Sequence, residues 1–297
     1  MTSQSSEQPA SRYRDLVLLL LLGALWGSSY LFIKVTVAEV PAATLVAGRF
    51  LLAALIMWLL LLVSRQSMPR GRAIWTAYAV MGFLSGALPW TLITWGEQYI
   101  PSGLAALLQA SMPIFTIIMA YLLATDEPIT PFKIAGVLLG FVGVGILLLP
   151  DLRHGLQVGL LGQLAIIGAS VSYAAAAIYA RGRLRGQPPM ASATGQLTMG
   201  LVYMLPVSLV VDWPLDISLS LPALASWLAL TILGTVFAYI IYYMLIDSAS
   251  ATFVSTVTYV IPVNGLILGA LVLGEPVNAT LLLSLTLILA GVFLVRL

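Results

Sequence analysis

The chain has no cysteine and one histidine, His154. Disulfides, thiol catalysis and thiolate metal sites are thereby excluded, and one imidazole builds no histidine cluster. No cofactor and no metal are expected. Charge is scarce too: Asp, Glu, Lys and Arg make up 8% of the 297 residues, against about 25% in an ordinary soluble domain. So few charges do not keep a water-facing surface dissolved. Nucleic acid is excluded as a partner, because the net charge is only +2 and the basic residues are scattered among apolar runs. What fills the chain is apolar, 61% of all residues, with a mean hydropathy of +1.05. The lipid bilayer is the solvent that suits this composition.

A transmembrane helix takes about 20 apolar residues at 1.5 Å per residue. The apolar runs place ten of them, at 16–37, 41–63, 73–95, 102–123, 130–149, 159–180, 190–211, 222–245, 251–273 and 277–296. The breaks between them are short and carry turn chemistry, among them Pro41, Pro69-Arg70-Gly71, Glu127-Pro128, Pro188-Pro189 and Glu275-Pro276. Residues 1–15 are polar and read as a disordered cytoplasmic tail. The run at 16–25 has the look of a signal-peptide core, but it continues to Val37 and is followed by equivalent runs, so it is read as an uncleaved first span.

Cytoplasmic loops retain Lys and Arg. With the N-terminus inside, Arg12, Arg14, Arg65, Arg70, Arg72, Lys133, Arg181, Arg183, Arg185 and Arg296 fall on the cytoplasmic side. Arg153 alone falls in an outer loop, while Lys34 and Arg49 lie within spans. Both termini are therefore expected in the cytoplasm, with the chain in the cell (inner) membrane.

The two halves repeat. Pro113 matches Pro262, Glu127-Pro128 matches Glu275-Pro276, Gly143-Val144 matches Gly291-Val292, and Gly23 and Gly27 match Gly168 and Ser172. The units are 16–149 and 159–297, each of five helices. An odd unit copied in tandem enters the membrane upside down relative to the first. The expected fold is an all-α membrane protein of ten transmembrane helices in two inverted five-helix repeats. That arrangement is common in secondary transporters, whose substrate sits near the midplane between the repeats.

Two five-helix units, each with a mid-span proline, a Glu-Pro turn and a Gly-Val helix, resemble the drug/metabolite transporter superfamily. The segment Gly-Ala-Leu-Trp-Gly-Ser-Ser-Tyr at 23–30 and the run Arg-Phe-Leu-Leu-Ala-Ala from Arg49 are similar to its EamA-type exporter branch. The resemblance covers residues 16–297. It implies an exporter of small metabolites, and similar members export amino acids, aromatic ones in particular; a monomer is expected. The halves are not equivalent, since Gln196 stands near the place where Arg49 would repeat.

The candidate substrate-binding residues are mid-span aromatic and polar side chains: Trp26, Tyr30, Tyr78, Trp90, Gln109, Tyr239, Tyr243, Thr256 and Tyr259. Lipid-facing aromatics favour the bilayer interfaces, and a hydroxyl within the bilayer needs a partner. These side chains fit either a central cavity or ordinary helix-to-helix bonds. Gly23 and Gly27 fit a packing seam. Pro113 and Pro262 free carbonyls and bend helices, which makes them the expected hinges. Lys34 is expected to snorkel outward beside Glu39, and Arg49 to pair with backbone carbonyls or with a solute carboxylate.

No Asp or Glu falls in the middle third of a span. Proton relays commonly use such carboxylates, so facilitated diffusion, or a coupling route of another kind, is expected. The leading reading is export of amino acids or related metabolites by alternating access. Export of purines, sugars or cationic drugs remains open. A channel is disfavoured by the inverted repeat, and a membrane enzyme by the missing clusters of His, Cys or carboxylates.

Overall fold

The computed structural model describes residues 9–123, 130–153, 157–213, 217–249 and 251–295. The first eight residues of the expected tail, the Glu127-Pro128 turn, His154 and Arg296 lie outside the described residues.

The membrane helices are α1 (Pro9–Val37), α2 (Ala42–Val63), α3 (Arg72–Gly96), α4 (Ser102–Leu122), α5 (Pro131–Leu152), α6 (Val158–Arg183), α7 (Pro189–Val211), α8 (Leu221–Ile246), α9 (Phe253–Leu273) and α10 (Ala279–Val295). The first nine are long and apolar enough to cross a bilayer, and the 17 residues of α10 sit at the short end of that range. Among the described residues there is no strand. The first helix begins earlier than expected: residues 9–15 belong to α1, which opens on a proline whose fixed φ suits a first helical position.

The spans are apolar over most of their length, so their faces divide more by neighbour than by polarity. On α2, Leu55, Leu59 and Leu62 are exposed toward lipid, whereas Val46, Phe50, Ala53 and Met57 are buried. The pairings respect the repeat. Helix α1 packs on α9 and α6 on α4; α1 also packs on α8 and α6 on α3; α2 pairs with α7, and α5 with α10. Exchanging the two five-helix units leaves this set unchanged. Glycines permit the closest crossings. A Cβ at Gly136 would lie 2.5 Å from the Gly291 carbonyl across the α5–α10 seam, and one at Gly27 would lie 2.8 Å from the Ile261 carbonyl across α1–α9.

Two departures from regular helix recur. Helix α3 contains a π-helical segment, Phe83–Ala87, and α8 contains another, Ile232–Phe237. Their first residues are 232 − 83 = 149 apart, the same separation as Pro113 and Pro262. Helices α4 and α9 are each broken. Ser102–Gln109 gives way to Met112–Leu123 across Ala110 and Ser111, and Ala251–Ser255 gives way to Val257–Leu273 across Thr256.

Candidate functional site

The centre of the fold is organised by Arg49. It lies seven residues into α2, about 10 Å along the helix axis, and its relative exposure is 6%. Its Nε donates to the Thr235 hydroxyl at 2.9 Å. That hydroxyl donates in turn to the Leu230 carbonyl, five residues back along the π segment of α8. The guanidinium carbon stands 3.8 Å from the ring centroid of Trp90, and the Trp90 ring stacks on Phe50 at 4.5 Å. Tyr30, Tyr173 and Tyr239 are close enough for their phenols to act on the charge. The only ion pair among the described residues is Arg14–Asp15, so Arg49 has no carboxylate partner there.

The magnitudes explain how the bilayer tolerates this cation. Placing an arginine at the middle of a membrane helix costs about 2.5–3.5 kcal/mol on insertion scales. A desolvated cation–π contact returns about 2 kcal/mol, and a hydrogen bond to a charged group about 1.5–3 kcal/mol. Trp90 and Thr235 together therefore offset the insertion cost without neutralising the charge. The sequence left open backbone carbonyls or a solute carboxylate for Arg49; its protein contacts are a hydroxyl and an aromatic face.

A strip of aromatic rings leads away from this centre. Tyr239 stacks near Tyr243 with centroids 6.1 Å apart, Tyr243 meets Tyr242 at 5.5 Å, and Tyr242 meets Trp26 of α1 at 5.6 Å. Tyr78 of α3 is fully buried and within electrostatic reach of Tyr243. Its ring lies against Gly195, where a Cβ would come within 2.3 Å. Six of the expected residues, Trp26, Tyr30, Tyr78, Trp90, Tyr239 and Tyr243, thus join one contiguous group drawn from α1, α3 and α8. Arg49 and Tyr242 also belong to it, and Tyr173 on α6 and Thr235, which were not singled out, complete it. Tyr173 carries the same signal as Tyr30, a phenol in mid-span. Nothing in the sequence marks Thr235, whose contact depends on the π register.

The other expected residues sit at the helix breaks. Gln109 is the last residue of the first part of α4, and its buried Oε1 has no hydrogen-bond partner. Thr256 is the break residue of α9, its hydroxyl turned back to the Phe253 carbonyl at 2.6 Å. Tyr259 packs against the core shared by α1, α4 and α6. Pro113 follows the α4 break directly, whereas Pro262 lies inside the continuous second part of α9, six residues after its break. A cavity of about 290 Å³ lies where α4, α5, α9 and α10 meet, lined by Met112, Pro113 and Thr116 of α4, Lys133 of α5, Ser255 and Thr258 of α9, and Val295 of α10; none of the nine candidate substrate residues lines it. It occupies the half of the fold nearer the N-terminal face.

The opposite face is tied both within the first repeat and across the two repeats. The Lys34 ammonium donates to the Glu97 and Ile100 carbonyls at 2.5 and 2.9 Å, closing the end of α3 rather than reaching Glu39. Those carbonyls are helix-end acceptors left free by the α3–α4 turn, so they offer a nearer partner. Glu39 instead accepts from the Ser220 N–H and hydroxyl, both at 2.7 Å. These bonds, the hydroxyl's foremost, hold its carboxyl below the usual carboxylate range. The Glu275 carboxylate accepts from the N–H groups of Ser102 and Gly103 at 2.6 and 2.8 Å. Asp212 accepts from the Thr44 N–H and hydroxyl, both at 2.7 Å.

Ten helices in two inverted repeats, with a polar and aromatic centre between them, define a membrane transporter. The chain belongs to the EamA-like transporter family, whose profile matches residues 15–149 and again residues 160–297. It is 30% identical over 296 residues to the uncharacterized inner membrane transporter YedA of Escherichia coli strain K12, covering 96% of this chain and 93% of that one. It is 23% identical to the uncharacterized transporter YoaV of Bacillus subtilis strain 168, covering 91% and 92%. The protein PecM of Dickeya dadantii strain 3937 is 26% identical, covering 91% and 88%. A solved crystal structure shares the fold with a TM-score of 0.67 at 17% identity, covering 95% of this chain and 96% of that one.

Proposed function

We propose that the chain exports amino acids, aromatic ones foremost, or related small metabolites across the cell (inner) membrane by alternating access. The observation that carries this reading is the convergence of Tyr30, Trp90, Tyr173 and Tyr239, from helices of both repeats, around Arg49. Flat aromatic faces contribute about 0.5–1.5 kcal/mol per good stacking pair, and phenol, hydroxyl and amide groups suit the polar end of an amino acid. Trp26, Tyr30, Tyr78, Trp90, Gln109, Tyr239, Tyr243, Thr256 and Tyr259 line the substrate path in this reading. Pro113 and Pro262 serve the bending of α4 and α9.

The two faces support alternating access. The Glu39 face is tied by Lys34, Glu275, Glu39 and Asp212, while the cavity lies toward the N-terminal face. Both termini lie in the cytoplasm in this reading, as the distribution of Arg and Lys favours. Residues 16–149 and 159–297 act as the two moving units of a monomer, and transport runs down the gradient of solute. The test is flux of labelled phenylalanine, tryptophan and aliphatic amino acids in proteoliposomes, with and without a pH gradient. Saturable, counterflow-competent flux favouring the aromatic pair is expected. Flux that never saturates defeats the carrier reading, and accumulation driven by pH alone defeats the uncoupled one.

A further inference from the structure

Among the described residues Arg49 has no carboxylate partner. An arginine carries five N–H donors, and the described residues occupy one of them, Nε, through Thr235. The Trp90 ring stands against the head, and the phenols of Tyr30, Tyr173 and Tyr239 lie within electrostatic range of it. Neutral acceptors and an aromatic face orient a guanidinium while leaving its field intact, and the planar fork that remains matches a carboxylate bidentately. The matching place in the other repeat holds no cation. Gln196, near the position equivalent to Arg49, is buried and accepts from Ser85 at 3.1 Å. One fork serves one anion.

We propose that the Arg49 guanidinium, flanked by Tyr30, Tyr173 and Tyr239, is the docking point for the carboxylate of the transported solute, which is therefore a carboxylate-bearing molecule. The inference rests on the transport reading above and narrows it: amines and uncharged flat solutes are excluded as good substrates. The Trp90 ring, which covers one face of the guanidinium, is displaced or slides along it when the carboxylate enters. The hydrogen bond to Thr235 holds Nε and turns the two Nη groups toward the incoming anion.

The experiment compares three solutes with the same phenyl ring: phenylalanine, 3-phenylpropanoate and phenethylamine. Competition against labelled phenylalanine is measured on purified protein, together with the apparent melting temperature in the absence of solute. In the wild type, phenylalanine and 3-phenylpropanoate compete and phenethylamine is at least about 30-fold weaker, the scale of losing one partner of a buried charged contact. Arg49→Gln abolishes that preference, and Arg49→Lys, which keeps the charge but not the fork, retains a reduced one. A folded Arg49→Gln protein with the wild-type preference overturns the proposal, because a purely structural tie between α2 and α8 leaves selectivity unchanged. Should Arg49→Gln fail to fold, the Arg49→Lys comparison decides: an unchanged preference overturns the proposal. If none of the three solutes binds, a panel decides between the readings. Recognition of other carboxylates removes the aromatic preference but leaves Arg49 as anchor, whereas recognition of amines or uncharged solutes alone overturns it.

Discussion

Replacing Glu275 should loosen a helix that belongs to the other repeat. The residue follows Gly274, whose φ of 68° ends α9 in the left-handed conformation glycine favours. Its carboxylate then reaches the first N–H groups of α4, at Ser102 and Gly103, which have no intrahelical partner. Pro101 at the N-cap provides no side-chain bond, so Glu275 acts as a cap delivered from across the repeat boundary. Loss of a side-chain cap costs about 0.5–2 kcal/mol, and a carboxylate at a helix N-terminus adds about 0.3–1 kcal/mol. Because Glu275 is half-buried, water replaces part of what is lost, and Glu275→Ala should cost about 2 kcal/mol in all. That corresponds to an apparent melting temperature lower by roughly 4–8 °C, read by size-exclusion survival of detergent-solubilised protein after heating. Glu275→Gln should lose nearly as much, since one of the two N–H groups then faces an amide donor. Gly269→Ala attacks the same contact from the other side, because its Cβ would lie 2.4 Å from the Glu275 carboxylate. Its loss should overlap with that of Glu275→Ala, leaving a coupling of about 1 kcal/mol in the double variant. Additive losses, or a Glu275→Ala protein as heat-stable as the wild type, refute the cap.

Three further outcomes follow from the same geometry. Trp90→Phe should preserve the fold while weakening aromatic-solute competition several-fold, whereas Trp90→Ala should also cost about 3–5 kcal/mol of stability; a Trp90→Phe protein with unaltered competition argues against stacking at this ring. Gly136→Ala should push α5 from α10 and cost about 1–3 kcal/mol, so normal heat survival of that variant contradicts the tight seam. Glu39 has a lowered folded-state pKa, so the stabilisation it confers is present above the unfolded carboxylate pKa and is lost as pH falls through the folded value. Ser220→Ala should raise that pKa toward the ordinary range in a carboxyl NMR titration, and an unmoved titration rules out Ser220 as the cause.

The helices were legible because a bilayer imposes a length and a polarity that composition alone reveals. Pro41 and Pro101 stand immediately before α2 and α4, where the punctuation placed the breaks. The π segments were not legible: one additional residue per turn over five or six residues leaves no periodic trace in a helix that is apolar over most of its length. The break at Thr256 was obscured for a related reason, since Pro262 offers a stronger local signal than the threonine six residues earlier. In the candidate site, mid-span phenols and indoles marked most of the central group. What the one-dimensional pattern could not supply was partnership between distant helices: across the repeats for Arg49 with Thr235 and Glu275 with α4, and within the first repeat for Lys34 with the end of α3. These contacts join residues more than 60 positions apart, and several chemically equivalent partners compete for each donor.

The matched π segments of α3 and α8 bear on ancestry. A π turn in an otherwise α-helical span is the trace of one inserted residue, and two insertions at equivalent places are most simply one event copied once. The irregularity then predates the duplication that made a ten-helix chain. A five-helix ancestor already carrying it would have needed a second, oppositely inserted copy to complete the helix pairings seen between the two units. Its descendants inherit a constraint from that pairing. Deleting the additional residue in one half alone sets Trp90 and Tyr239 out of register by about 100° about their helix axes, so later changes to the two segments are expected to occur together.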